Sequence, residues 1–181
     1  EVVVVAAGDA SVDKLLHLGV AMGADRATRI QVKDCHETSP ARLGAMLVEP
    51  LQHLAVTLLL CGQDGAGDDN AIAAHVAAAE LGWSIVTGVV NVIIEGSVVQ
   101  VVRKLEKGWR ENLETDVPSV IAVHASIAQA RYVGRSSLAR ASKQVAIDIW
   151  DRPDRSIDCD VTGDREAVRY VRPLPSPLFV P

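Results

Sequence analysis

The apolar residues of this chain fall into short β-branched runs that alternate with helical periodicities. The run at 2–7 is typical of a buried parallel strand. Apolar residues then recur at the three-and-four spacing of a helix, which Ser11 can cap and Gly23 can end. Further strands are predicted at 28–32 and 55–61, with a helix between them. This alternation predicts parallel strands with right-handed crossovers, the doubly wound, Rossmann-like α/β class.

The rhythm changes after Gly82, where short glycine-containing connections join successive apolar runs. Such connections are typical of antiparallel hairpins. We therefore predict one α/β domain over 1–150, mainly parallel with an antiparallel hairpin section. The remaining segment, 151–181, carries five of the eight prolines and is predicted to be an extended C-terminal arm. The strands predicted in this half are 89–94, 98–105, 110–115, 119–123 and 145–150.

The loop that follows the strand at 55–61 is the most informative candidate site. Its residues, 62–69, are small or acidic, so the backbone can approach a bound group at the carboxyl end of a parallel strand. The next helix is predicted to start at Asp69 or Asn70, with the positive end of its dipole facing that group. A tight turn without a ligand explains the segment equally well.

Composition and charge exclude several classes of function. The formal charge is −5, and only six of the 181 residues are aromatic, which disfavours nucleic-acid binding. The three cysteines are widely spaced, which favours a reducing compartment, either cytoplasm or mitochondrial matrix, over a disulfide framework. The five histidines show no metal-ligand spacing, and the opening apolar run is too short to insert into a membrane.

Several motifs, in order, resemble the β subunit of electron-transfer flavoprotein. They are an Ala-Met-Gly-Ala-Asp-Arg stretch, the acidic loop with its Leu-Gly-Trp helix end, a basic hairpin, a proline-led strand, and an Arg-Tyr pair similar to the start of the family's partner-recognition loop. Their joint order is far more specific than any single motif. The segments are 21–27, 62–69, 81–83, 103–108, 117–122 and 131–132.

The resemblance implies a function as well as a fold. Such a β subunit pairs with an α subunit that carries FAD, holds AMP or a second FAD, docks partner flavin dehydrogenases, and catalyses nothing alone. The resemblance places the nucleotide seat at Ala6, Ala7, Gly8, Gly62, Gln63, Asp68, Asp69, Ala71, Ile72 and Ala73. It places partner docking at Arg131, Tyr132, Arg135, Ser137, Leu138 and Arg140.

Departures from the family keep two alternatives open. Where the family commonly has Asn-Gln-Thr-Gly, this chain has Ala-Ile-Ala-Ala at 71–74, and the family's docking leucine is matched by Arg135. The family's usual segment before Glu1 is also missing, so we expect a fragment or a shortened member. One alternative is a degenerate structural subunit without nucleotide. The other is a stand-alone adenine-nucleotide-binding protein of universal-stress type.

Overall fold

The computed structural model describes residues 1–32, 38–63 and 71–151, and the backbone of 172–173. The chain forms two compact units: Glu1–Pro50 with Ala130–Asp158, and Leu51–Gln129 with Cys159–Pro181. The strands are β1 (Val3–Gly8), β2 (Arg26–Gln31), β3 (Leu58–Gly62), β4 (Ser84–Glu95), β5 (Val98–Lys104), β6 (Arg110–Asp116), β7 (Ser119–Val123), β8 (Ile147–Trp150) and β9 (Arg172–Pro173). The α-helices are α1 (Asp13–Met22), α2 (Pro40–His53), α3 (Ile72–Leu81) and α4 (Arg135–Gln144).

The first unit contains a parallel sheet in the order β1-β2-β8. Helix α1 packs on this sheet so closely that a Cβ added at Gly19 would lie 2.9 Å from a methyl of Val4. Strand β1 pairs only with β2 among the described strands. The prediction that it is fully buried is wrong, because five of its six residues are half-buried. The predicted C-cap is confirmed, because Gly23 has a φ of 122°.

The second unit contains a six-stranded mixed sheet in the order β3-β7-β4-β5-β6-β9. Strand β4 pairs with β7 in parallel through its first half and with β5 antiparallel through its second half. The predicted α/β class with an antiparallel hairpin section is therefore confirmed. Strand β7 is buried as predicted, and a valine-rich cluster on β4 and β5 packs with Leu113 and Ile121. The division into 1–150 and 151–181 stays a prediction.

Three predicted helix boundaries have different outcomes. The Ser39-Pro40 start of α2 is confirmed, since the Arg42 N–H donates to Ser39 Oγ at 3.3 Å. The predicted cap at Ser11 is wrong: Asp9 accepts a hydrogen bond from the Ser11 N–H and begins a short 3-10 turn that leads into α1. The predicted start of α3 at Asp69 or Asn70 is also wrong, because the N-cap is Ala71.

Candidate functional site

The carboxyl end of β1 holds three of the predicted seat residues, Ala6, Ala7 and Gly8. They pair in register with the second half of β2, and the chain then turns at once into the 3-10 segment. A Cβ added at Gly8 would lie 2.6 Å from Val12 Cγ1. This turn therefore requires glycine. Because Gly8 has no side chain, only the small side chains of Ala6 and Ala7 precede the turn at this end of the strand.

An ion pair lies beside this end of β1 and anchors α1 to β2. The Nη1 of Arg29 donates to both carboxylate oxygens of Asp13 at 2.7 and 2.8 Å. Hydrogen bonds from Ser11 lower the pKa of the exposed Asp9, and the charge of Arg29 adds to this effect. Asp13 contacts the Arg29 guanidinium and Asp9 interacts with its charge, so this cluster does not offer a net positive charge to a phosphate.

The carboxyl end of β3, in the second unit, holds Gly62 and Gln63. The Gln63 N–H donates to the carbonyl of Val123 at 2.9 Å, which extends the β3–β7 pairing by one bond. The Gln63 Oε1 is buried and, within the described residues, accepts no hydrogen bond. It lies beside Gly88, whose added Cβ would be 3.5 Å away, at the irregularity in β4. A buried acceptor without a donor is costly, so this amide is suited to receive a donor from a ligand.

The start of α3 lies in the same unit and exposes a helix end without a side-chain cap. Ala71 adopts left-handed φ and ψ of 53° and 37° and makes no side-chain cap hydrogen bond. It packs in one cluster with Cys61, near the end of β3. The His75 Nδ1 lies 2.9 Å from the Ala71 carbonyl.

The described residues at the start of α3 offer backbone groups, and no polar side chain, to a phosphate. The first-turn N–H groups of α3 and its dipole suit a phosphate, with the dipole contributing about 0.3–1 kcal/mol. Ala71, Ile72 and Ala73 supply no polar side-chain atom. Asp68 and Asp69 lie outside the described residues. The cofactor assignment of these residues stays a prediction.

The predicted docking residues all belong to the first unit. Arg131 donates to the carbonyl of Met22 at the end of α1, and Tyr132 is 93% exposed. The following residues form α4, a helix that the sequence analysis missed. Arg135 and Arg140 are exposed on it. The remaining two, Ser137 and Leu138, are half-buried and exposed respectively.

Helix α4 has no acidic residue and one buried side chain, Ala141, on its inward face. An apolar signal of one alanine is too weak to reveal a helix, although the three-residue step from Leu138 to Ala141 is compatible with one. Within the described ranges, no group of three or more histidine, cysteine or acidic side chains could hold a metal ion. None of the described helices is long and apolar enough to cross a membrane.

Comparison with known proteins decides the family. The model of the electron transfer flavoprotein domain matches residues 1–155. The chain belongs to the electron transfer flavoprotein family. It is similar to the electron transfer flavoprotein subunit beta of Sus scrofa, with 28% identity over 160 residues, covering 87% of this chain and 62% of the relative.

Two further relatives carry the same description. The subunit beta of Bradyrhizobium diazoefficiens is 26% identical over 173 residues, covering 96% of this chain and 67% of the relative. A subunit beta of Oryza sativa subsp. indica, named as mitochondrial, is 27% identical over 179 residues, covering 96% and 68%. The chain therefore spans about two thirds of the length of these electron transfer flavoprotein relatives.

Proposed function

We propose that this chain is a β-type subunit of an electron-transfer flavoprotein. It supports a flavin-bearing α subunit and docks partner dehydrogenases, while the redox chemistry takes place on flavins and not on side chains of this chain. The family match over residues 1–155 carries the proposal. The proposed location is the cytoplasm, or the mitochondrial matrix in a eukaryotic cell, as the name of the rice relative suggests.

The proposed ligand of this chain is AMP, or a second FAD in its place. In the second unit, the backbone from Ala71 to Ala73 would hold a phosphate. The assignment of Ala6, Ala7 and Gly8, in the first unit, rests on the family resemblance alone. The Gln63 acceptor is available to a donor such as an amine or hydroxyl. One of the loop aspartates, Asp68 or Asp69, would accept a hydrogen bond from a ribose hydroxyl. A bound AMP would act structurally, whereas a second FAD would add a redox centre.

A degenerate subunit without nucleotide is the second candidate, and the start of α3 favours it. Hydrogen bonds to charged groups contribute about 1.5–3 kcal/mol each, more than a helix dipole contributes. Ile72 and Ala73 stand where the family commonly has polar side chains. The loss of their hydrogen bonds would weaken a nucleotide site by several orders of magnitude. Both candidates predict a partner subunit, and nucleotide content separates them.

The proposed docking surface consists of Arg131, Tyr132 and the exposed face of α4. Arg135, Arg140 and Lys143 give this helix three positive charges in an otherwise acidic protein. Such a surface would steer an acidic partner and raise the association rate at low salt. The exchange of a docking leucine for Arg135 implies a partner with a carboxylate where the family's partners offer an apolar pocket.

The first experiment is to purify the full-length protein with whatever accompanies it, denature it, and identify released molecules and polypeptides by mass spectrometry. A flavin-bearing larger subunit is the expected partner. A chain that purifies alone, without nucleotide, would contradict the proposal. AMP or FAD in the released fraction supports the first candidate, and a partner subunit without nucleotide from this chain supports the second.

A gain-of-affinity variant tests the seat directly. Ile72→Gln with Ala73→Thr restores polar groups at the start of α3, and we expect AMP affinity to rise by about 10-fold or more. Ala79→Thr, which makes the same type of change on an exposed residue at the other end of α3, is the matched control and should change nothing. Equal affinity of the double variant and wild type would place the nucleotide elsewhere.

A further inference from the structure

The turn between β5 and β6 carries a surface that the proposed function does not use. We call residues 104–110 the β5–β6 tip. All seven residues are exposed. They include three cations, one glutamate, a leucine and a tryptophan, in a protein whose formal charge is −5. A basic and aromatic tip on an acidic protein is a candidate interaction surface.

The backbone of the tip is held in one conformation. The Leu105 N–H donates to the Trp109 carbonyl at 2.8 Å, and the Trp109 N–H donates to the Glu106 carbonyl at 3.2 Å. Lys107 and Gly108 adopt left-handed φ of 56° and 83° and close the turn. The side chains are therefore presented by an ordered hairpin, so a partner does not have to order a flexible loop on binding.

One face of the tip is apolar. Leu105 and Trp109 face each other across the hairpin and are 40% and 57% exposed. Side chains alternate between the two faces of a strand, so Leu105 and Trp109 lie on the same face as the pair Arg103–Glu111. The buried pair Val101–Leu113, two residues closer to the core, lies on that face as well. This face of the sheet is therefore apolar again beyond the Arg103–Glu111 pair, and the apolar side chains there are exposed to solvent.

The opposite face of the tip is cationic and carries an unfavourable pair. Lys104 and Arg110 are direct cross-strand partners. Like charges opposite each other destabilise a hairpin. The next pair, Arg103 and Glu111, is complementary, with Arg103 Nε donating to Glu111 at 2.6 Å. No carboxylate in the described ranges forms an ion pair with Lys104 or Arg110. An acidic partner would relieve the repulsion.

We propose that the β5–β6 tip docks a protein partner that presents an apolar pocket rimmed by carboxylates. Trp109 and Leu105 fill the pocket, and Lys104 and Arg110 meet the rim. Tryptophan and arginine are the residues most enriched at the energetic centres of protein interfaces. An anionic membrane is the poorer match, since lipid-binding clusters contain about four to eight cations and this tip has three with Glu106 among them.

The test begins with a photo-crosslinking amino acid at Glu106 of the full-length protein, in the cell that makes it. The matched control carries the crosslinker at Ser97, in the β4–β5 turn at the other end of β5. The protein crosslinked from Glu106 and not from Ser97 is purified, and its affinity is measured against wild type, Trp109→Ala, and Lys104→Glu with Arg110→Glu. Ile93→Ala, an exposed apolar residue near the control turn, is the matched variant.

The proposal expects both tip variants to weaken the complex at least about 10-fold, and Ile93→Ala to leave it unchanged. It also expects the wild-type affinity to fall between 50 and 300 mM salt, and carboxylate substitutions around the crosslinked site on the partner to mimic the charge reversal. Equal crosslinking at both turns, or tip variants that bind as wild type, would overturn it. Retention of wild type but not Trp109→Ala on phosphatidylglycerol vesicles would overturn it in favour of a membrane surface.

Discussion

The substitution Asp13→Asn should destabilise the protein more than removal of the whole ion pair to which Asp13 belongs. Asp13 and Arg29 share two hydrogen bonds, at 2.7 and 2.8 Å, and their side chains are 31% and 9% exposed. The Arg29 Nε is buried and has no hydrogen-bond partner in the described part of the chain. Asparagine keeps the shape of the aspartate but removes the carboxylate that accepts both hydrogen bonds from the buried guanidinium.

Removal of one partner from a buried ion pair costs about 3–5 kcal/mol. Because Asp13 is a third exposed, water replaces part of its interaction, and we expect the free energy of unfolding to fall by about 2–3 kcal/mol. Arg29→Met removes the buried charge and its unpaired Nε while filling similar space, so it should lie within about 1 kcal/mol of wild type. The double variant should resemble Arg29→Met.

Urea unfolding followed by circular dichroism gives the four free energies of the cycle. Hydrogen exchange locates the effect: Asp13→Asn should increase exchange in peptides from α1 and β2, while peptides from the β4–β5 hairpin of the other unit act as an internal control. The reasoning is refuted if Asp13→Asn is within 0.5 kcal/mol of wild type or if Arg29→Met costs more than Asp13→Asn.

Three further substitutions or modifications test packing and burial elsewhere. Gly19→Ala should lose about 1–2 kcal/mol of stability despite the better helix propensity of alanine, because its Cβ would lie 2.9 Å from a Val4 methyl, and Val4→Ala should restore most of the loss in thermal melts. Burial raises the pKa of the Cys61 thiol to about 11, so iodoacetamide at pH 8 should label it about 100-fold more slowly in the folded than in the urea-unfolded protein, measured in a chain whose other two cysteines are serine. The same raised pKa means that its contribution to stability is complete below pH 9 and is lost as the pH rises through 11; titration melts that show the opposite slope would contradict this. Thr115→Val should cost about 1–3 kcal/mol because it leaves the buried Ser84 hydroxyl, now 2.6 Å from Thr115 Oγ1, without a partner, and adding Ser84→Ala should recover part of that loss in urea titrations.

Most strands could be predicted because the type of their side chains follows from whether each strand is buried or ends in a tight turn. Continuous β-branched runs mark β1 and β7, and short glycine turns mark the β4–β5 hairpin. The first half of β4 was missed because Ser84, Thr87 and Gly88 interrupt its apolar run. Helix α4 was missed because its only buried side chain is Ala141. Both failures occur where tertiary packing, and not local pattern, determines the element.

The candidate site was harder to predict than the fold. Asp69 and Asn70 are good N-caps by type, but α3 begins after Ala71 in a left-handed conformation that no rule assigns to alanine. The sequence identified the loop as a candidate seat through its small residues. It did not reveal that Gln63 Oε1 is buried without a donor, since that depends on the path of β4 beside it at Gly88.

The β5–β6 hairpin shows how a protein can carry an unfavourable pair without losing its register. Seven cross-strand pairs fix the hairpin, and one of the inner pairs, Val101 opposite Leu113, is apolar and buried. The complementary Arg103–Glu111 pair then separates the core from the tip. Repulsion between Lys104 and Arg110 falls on the outermost pair of the ladder, away from the buried pair that fixes the register. The hairpin is therefore specified by its inner pairs, which leaves the residues of its tip free to be selected for a partner.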